Sequence, residues 1–298
     1  MKSTFLGNIS SRGKCRVIYD VKNIKKNQDN LNNQEGLYFK FDIEGETFSS
    51  KYKMLIEGPD DSPYVGGFYL FKSEFPDQYP YRPMKMTSLT QGGKIRKHPN
   101  LYVCGKCCFS FLGTWSGPPW TACQNPTTVG ISMRSVLTSN PITNEPGWEK
   151  RNDANTKLYE TLIRYFNIRY AVIEIVKSFP INYIDFKQDI IKMFIKNYKK
   201  YKAEVNVIRK LDKKIVKSPV YNFEAFIDCN FLDKNLDELY SKYSPDAPPG
   251  ITICNLKRKC PLKPANNYND KEVINGLDGR EWKVKTYPNG RKRWVLNK

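Results

Sequence analysis

Residues 98–115 read HPNLYVCGKCCFSFLGTW and hold the only histidine of the chain, His98, with three of its eight cysteines, Cys104, Cys107 and Cys108. Three chemistries fit these residue types. A thiolate can attack a carbonyl, with His98 as its base in a Cys-His dyad. Cys104 and Cys107 have the two-residue spacing of half a zinc knuckle, which His98, Cys108 and Cys123 can complete. Neighbouring thiols can also pair on oxidation, Cys104 or Cys107 with Cys108. Against the dyad stands a base ten residues upstream in an irregular segment, which is no known signature. Against zinc stands the missing second C-x-x-C. The imidazole also reads as a buried, hydrogen-bonded scaffold for its own loop.

The elements that position this stretch are legible on either side of it. Val17, Val21 and Ile24 fall at helical spacing within residues 12–26, with lysines opposite, and predict a short amphipathic helix. NQDNLNNQEG after it reads as a turn or loop. In GLYFKFDIEG, Leu37, Phe39, Phe41 and Ile43 alternate with Tyr38, Lys40, Asp42 and Glu44, a strand with one solvated face. SKYKMLIEG (Tyr52, Met54 and Ile56 inward) and GGFYLFKSEF repeat the pattern, and a shorter run covers residues 83–89. Four closely spaced strands predict an antiparallel meander. No periodicity holds over residues 90–125, and so long an irregular stretch in a compact domain is functional as a rule.

Pro126 suits the first turn of a helix through Val129, Met133, Val136 and Leu137, stopped by NPITNEPG. Two longer helices follow, one with a stripe from Leu158 to Val176 and one from Phe186 to Tyr201. A weaker helical stretch covers residues 223–243. SPDAPPG is a linker, and EWKVKTYPNGRKRWVL behind it reads as two strands joined at Asn289-Gly290. Trp115, Trp120 and Trp148 read as core aromatics.

The chain has 298 residues, enough for one sizeable core with an extension or for two domains. Its 49 basic and 30 acidic residues give a net charge of +19, which predicts attraction to acidic proteins, nucleic acid or anionic membrane. The N-terminus lacks the apolar run of a signal peptide, and no segment approaches the roughly twenty apolar residues of a membrane span. The expectation is a soluble intracellular protein, cytoplasmic or nuclear, with reduced thiols rather than a disulfide framework.

With these motifs in place the chain resembles the ubiquitin-conjugating enzymes. The residues that carry the resemblance are RVIYDVKNI, GPDDSPYVGGFYLFKSEFPDQYPYRPMKM, HPNLYVCGKCCFS, Trp120 and NEPG. GTWSG, NEPGWE and YETLIRYFNIRYAV resemble the larger members with a C-terminal extension. The resemblance covers residues 12 to about 205. It implies an α+β fold with an N-terminal helix, a four-stranded antiparallel meander, an irregular active-site segment and C-terminal helices. The division it implies is a flexible start at 1–11, a catalytic core at 12–150, a helical extension at 151–243, a linker at 244–250 and a basic hairpin tail at 251–298.

In the family frame Cys108, two residues before a serine, accepts ubiquitin or a ubiquitin-like modifier as a thioester from an activating enzyme. A lysine amine of a protein substrate then takes it, directly or with a ligase. No cofactor is implied, since the activating enzyme consumes the ATP. Asn100 is the oxyanion donor or the residue that holds the neighbouring loop in shape, and as a residue it also reads as a turn cap. Glu145 matches the acid that positions and desolvates the lysine, and as a residue it also reads as a solvated turn glutamate. His98, Pro99 and Trp120 support the site.

Arg16 stands at the basic position presented to the activating enzyme. Tyr81, Thr121 and Ala122 stand in the two loops that ligases grip, although TAC replaces the common serine-proline-alanine run. Two other readings remain: a non-catalytic ubiquitin-binding module of the same fold, and a nucleic-acid binder, since KRKCPLK and NGRKRW interleave bases with aromatics. The tail hairpin is also similar to tail modules on proteins of large DNA viruses, which implies action inside a host cell.

Overall fold

The computed structural model describes residues 9–44, 47–244, 265, 268–275, 281–287 and 290–297. Contacts divide the chain into two units, Met1–Leu236 and Asp237–Lys298. The first unit opens with helix α1 (Ser11–Lys26), whose start is capped by Ser10, the hydroxyl accepting from the Gly13 amide at 3.2 Å. Lys25 and Lys26 in its last turn suit the carbonyl end of the helix dipole. Val17, Val21 and Ile24 are buried, as their spacing predicts. The asparagine-rich stretch is not simply a loop: it contains helix α2 (Gln28–Asn33), organised by one buried residue, Leu31. One packed leucine outweighs the poor helix propensity of its asparagine neighbours.

Strands β1 (Leu37–Glu44), β2 (Thr47–Glu57), β3 (Phe68–Glu74) and β4 (Lys85–Ser88) form an antiparallel meander in sequence order. The register sets Phe39 beside Met54 and Met54 beside Phe71. Helix α3 (Pro126–Ser135) packs on the face carrying Leu37 and Met54. Its approach is so close that a Cβ on Gly130 would lie 2.9 Å from Met54 Sδ and 3.0 Å from Leu37 Cδ1. Asn125 and Thr128 start this helix with a reciprocal capping box, and Pro126 occupies its first turn.

The opposite face of the sheet, expected to meet solvent, is covered. Tyr38 and Leu55 are buried there. The cover is the turn before helix α6 (Lys187–Ile208) and the helix itself. Lys53 pairs with Asp185 at 2.7 Å, Lys40 with Asp189 at 3.5 Å, and Asn197 Nδ2 donates to Glu57 Oε1 at 2.7 Å. A periodicity that marks lysines as outward cannot reveal carboxylates waiting above them.

The long stripe from Leu158 to Val176 forms one continuous helical run: α4 (Ala154–Phe166), a π-helical segment over Asn167–Ile173, and α5 (Glu174–Ser178). Asn167, at the change of pitch, is fully buried. It accepts from the Tyr69 hydroxyl at 2.7 Å and donates to the Val65 carbonyl at 2.9 Å. The glycine pair beneath makes room for it, since a Cβ on Gly67 would sit 1.9 Å from Asn167 Oδ1. The extension is thereby bonded to the meander from inside the core.

After α6 the chain makes a hairpin of two three-residue strands, β5 (Ile215–Lys217) and β6 (Glu224–Phe226), then helix α7 (Cys229–Tyr243). The weak helical stretch expected over 223–243 therefore begins as a strand. Asp228 sets the helix start by accepting from the Phe231 amide at 2.9 Å.

In the second unit, β7 (Val273–Asn275), β8 (Glu281–Thr286) and β9 (Lys292–Leu296) form a three-stranded antiparallel sheet, one strand more than the sequence predicts. Val284 opposite Trp294 builds a small core with Ala265, and Tyr268 and Trp282 pack against it. Residues 1–8 of the expected flexible start, the linker apart from Ser244, residues 251–264, and Asn289 of the predicted turn lie outside the described residues.

Replacing Asn167 by alanine strands the buried Tyr69 hydroxyl and the Val65 carbonyl together. The expected cost is about 2–4 kcal/mol of stability, read as a lower urea midpoint at an unchanged slope. A midpoint equal to that of the parent protein would contradict the role given to this residue.

Candidate active site

The irregular segment is built around His98, which is fully buried. Its Nδ1 accepts from the Asn100 amide at 3.0 Å, and Nε2 lies 3.0 Å from the Val136 carbonyl, just past the end of α3. A carbonyl can only accept, so this network places the ring hydrogen on Nε2. Both nitrogens are then occupied, so the ring has no lone pair left for a metal or for a thiol's proton. Burial, with smaller contributions from the Lys97 and Arg96 charges, pushes its pKa down to about 3. The His98 ring is thus neutral and bonded through both nitrogens within the fold.

Asn100 and Cys108 are joined twice. The Cys108 amide donates to the Asn100 carbonyl at 2.8 Å, and Asn100 Nδ2 donates to the Cys108 carbonyl at 2.6 Å. Cys108 is 3% exposed as a residue, and its thiol donates to the Thr114 carbonyl at 3.0 Å. Thr114 is itself tied down: its hydroxyl donates to the Cys107 carbonyl at 2.8 Å and accepts from the Phe109 amide at 2.9 Å. Gly113 and Gly117, at φ of 67° and 130°, supply the left-handed turns that fold residues 113–117 back over the thiol.

The other cysteines differ in kind. Cys107 is buried with its thiol toward the Gly105 carbonyl at 3.7 Å, and burial pushes its pKa up to about 12. Cys104 is exposed. Among the described residues no group of three or more His, Cys, Asp or Glu is placed to hold a metal ion.

A cleft of ≈ 20 Å³, room for one water-sized group, is lined by Cys108, Asn100, Glu145, Arg96, Tyr102 and Trp115, among others. It brings together Cys108, Asn100 and Glu145, with Pro99 in the wall and His98 behind. Glu145 follows a 3₁₀ turn over Pro141–Asn144. Its Oε2 accepts from the Tyr221 hydroxyl and lies 3.9 Å from Arg96 Nη2. The Arg96 guanidinium is held between two rings, 3.9 Å from the centroid of Tyr102 and 4.2 Å from that of Tyr221, and donates to the Pro99 carbonyl at 2.6 Å.

Sequence reasoning passes over Arg96, Tyr102, Thr114 and Tyr221. Arg96 hides in the basic run KIRKH, and Tyr221 lies 113 positions beyond Cys108 between strands too short to register. Trp115, expected in the core, is 48% exposed at the cleft, because the glycines around it turn it outward.

The four residues expected to meet partners lie together. Arg16 pairs with Asp20 at 2.9 Å and donates to the Ala122 carbonyl at 2.8 Å and the Gln124 carbonyl at 3.1 Å, so its guanidinium ties α1 to the loop holding Thr121 and Ala122. Trp120 Nε1 donates to the Pro80 carbonyl at 2.7 Å, which joins that loop to Tyr81, 68% exposed.

The burial of His98 has a sign that can be measured. An unfolded histidine binds a proton near pH 6.5, the folded one only near 3. Between these values the unfolded chain holds more protons, so stability falls as the pH falls. The expected loss from this group is about 2 kcal/mol between about pH 6.5 and about pH 5. Urea midpoints across that window should show it in the parent protein, and a His98→Gln variant should lack this component. Equal pH slopes for the two would contradict a neutral buried ring.

Residues 22–166 match the family model described as ubiquitin-conjugating enzyme. Over 131 residues the chain is 44% identical to ubiquitin-conjugating enzyme E2 Z of Xenopus tropicalis, covering 43% of this chain and 42% of that one. Over 153 residues it is 35% identical to the probable ubiquitin-conjugating enzyme E2 R521 of Acanthamoeba polyphaga mimivirus, covering 48% and 10%. It is also 36% identical over 141 residues to the dual E2 ubiquitin-conjugating enzyme/E3 ubiquitin-protein ligase BIRC6 of Homo sapiens, covering 42% and 3%. The chain spans less than half the length of these relatives. With its helix-led antiparallel meander and its cysteine-bearing irregular segment, the chain carries a domain of the ubiquitin-conjugating enzyme family at residues 22–166.

Proposed function

We propose that the protein is an active ubiquitin-conjugating enzyme with Cys108 as its acceptor of ubiquitin or a ubiquitin-like modifier. The observation that carries this reading is the meeting of Cys108 and Asn100, from one irregular segment, with Glu145, from the separate turn after α3, in one cleft. The Cys108 thiol first loses its proton to water. Its sulfur then attacks the thioester carbonyl presented by an activating enzyme, a new C–S bond forms, and the activating enzyme's thiolate leaves. Because the thiol is bonded to the Thr114 carbonyl, the turn 113–117 must release it first.

In the second step a neutral lysine amine attacks the Cys108 thioester. A C–N bond forms, the Cys108 thiolate leaves, and the proton that the attacking nitrogen sheds as it becomes an amide passes to Glu145 or to water. Asn100, bonded to the Cys108 carbonyl, holds the nucleophile's backbone in place, and its second amide hydrogen is the candidate oxyanion donor. No resident cofactor enters either step. Arg16, Tyr81, Thr121 and Ala122 mark one end of the domain as the docking surface for the activating enzyme and for any ligase. The helical extension acts as part of the same enzyme. No helix among the described residues is long and apolar enough to cross a membrane, and we place the reaction in the cytoplasm or nucleus, of a host cell if the source is viral.

Charging with activating enzyme, ATP and ubiquitin tests the reading on gels run with and without reductant. The parent protein and Cys104→Ser should form an adduct that a thiol reductant removes. Cys108→Ser should form none of that kind, or only a reductant-resistant ester. A Cys108→Ser protein that still forms a reductant-sensitive adduct would place the thioester elsewhere. For Glu145→Gln, discharge of a preformed adduct onto free lysine should slow about tenfold or more, and a rate equal to the parent's would remove Glu145 from the mechanism.

A further inference from the structure

The C-terminal extension does more than cover the sheet: it delivers a side chain to the cleft. Tyr221 sits in the tight loop between β5 and β6, held by backbone bonds from Phe223 N to Tyr221 O at 2.8 Å and from Ser218 N to Phe223 O at 2.9 Å. Val216 and Ala225 anchor the hairpin in the core. The Tyr221 ring packs edge-on against Tyr159 of α4 at 5.9 Å between centroids, and the Tyr159 hydroxyl donates to the Arg96 carbonyl at 2.8 Å. A loop fixed on this many sides presents its phenol in one place.

What the phenol does there follows from counting donors and acceptors. A carboxylate has two oxygens, and a phenol has one hydrogen to give. Tyr221 gives it to Glu145 Oε2. Among the described residues, Oε1 of Glu145 accepts no hydrogen bond. Arg96 carries the nearby positive charge, but its Nη2 stays 3.9 Å from the carboxylate, beyond hydrogen-bond reach. It is kept there because Tyr102 and Tyr221 sandwich its plane and the Pro99 carbonyl takes its Nη2. The same tyrosine therefore fixes the acid with its hydroxyl and, with its ring, keeps the arginine from capturing that acid.

We propose that Tyr221 is a positioning residue of the acceptor site: by anchoring one oxygen of Glu145 and restraining Arg96, it leaves the second oxygen to receive the incoming primary amine. The inference rests on the reading of Cys108 and Glu145 given above. It makes the extension part of the active centre and confines Tyr221 to the step in which an amine attacks. In that step the C–N bond forms as the C–S bond to Cys108 breaks, and Oε1 orders the neutral amine and accepts the proton that its nitrogen sheds on becoming an amide.

The test is single-turnover discharge onto free lysine, from an adduct formed first and then separated from activating enzyme and ATP. Four proteins are compared: the parent, Tyr221→Phe, Glu145→Gln and the double variant. Tyr221→Phe keeps the ring against Arg96 and Tyr159 and removes only the hydroxyl, so its fold is preserved. Discharge should slow roughly five- to tenfold in Tyr221→Phe, and the same change made in Glu145→Gln should add almost nothing. A tyrosine with a merely structural role would slow both backgrounds alike. Discharge of Tyr221→Phe at the parent rate or faster, or an equal slowing in the Glu145→Gln background, would overturn this inference alone. A parent protein that accepts no modifier would overturn the conjugating-enzyme reading and this inference with it.

Discussion

The site depends on one buried imidazole and the two backbone groups it satisfies. Without His98, the Asn100 amide would lack a partner and the Val136 carbonyl would keep only the Thr138 amide. With it, the turn before Asn100 is locked to the end of α3, and Asn100 is held where its carbonyl and side chain both reach Cys108. An irregular segment of this length has little ladder bonding of its own, only isolated bridges such as Leu101 to Cys107. Its shape must come from side chains that bond to backbone, and His98, Asn100, Thr114 and Arg96 are among them.

The second dependence runs through the extension. Asn167 bonds the π-helical segment to the Val65 carbonyl and the Tyr69 hydroxyl inside the core, and the Asp185 and Asp189 carboxylates meet lysines of the sheet's second face. Once α4 and α6 are fixed in this way, the hairpin that follows α6 reaches Glu145. A residue late in the chain can then belong to chemistry centred on Cys108. The separation in sequence is large, but the path through the fold is a short series of packed elements.

The parts of this architecture that repeat with a period were legible in the sequence. Alternation in LYFKFDI and SKYKMLIEG marks β1 and β2, and Pro126 marks the start of α3. The cysteine-rich segment stands out because periodicity stops there. The unread features depend on partners distant in sequence. Leu31 makes a helix of an asparagine-rich stretch because it has a core to enter. The lysines of β1 and β2 signal solvent until the aspartates of the extension are seen above them. Tyr221 lies between strands of three residues, below the length at which alternation can be recognised. Arg96 and Trp115 look like an ordinary surface charge and an ordinary core aromatic, and only their neighbours give them other roles.

The account turns on which of three closely spaced thiols carries the modifier. Burial turns Cys107 inward and raises its pKa, and Cys104 is exposed and absent from the cleft lining. The most direct measurement is peptide mapping by mass spectrometry of the parent protein after charging, digested under acidic, reductant-free conditions that preserve a thioester. The account predicts the modifier's C-terminal remnant on Cys108, with Cys104 and Cys107 unmodified. A remnant on either of those two would contradict it.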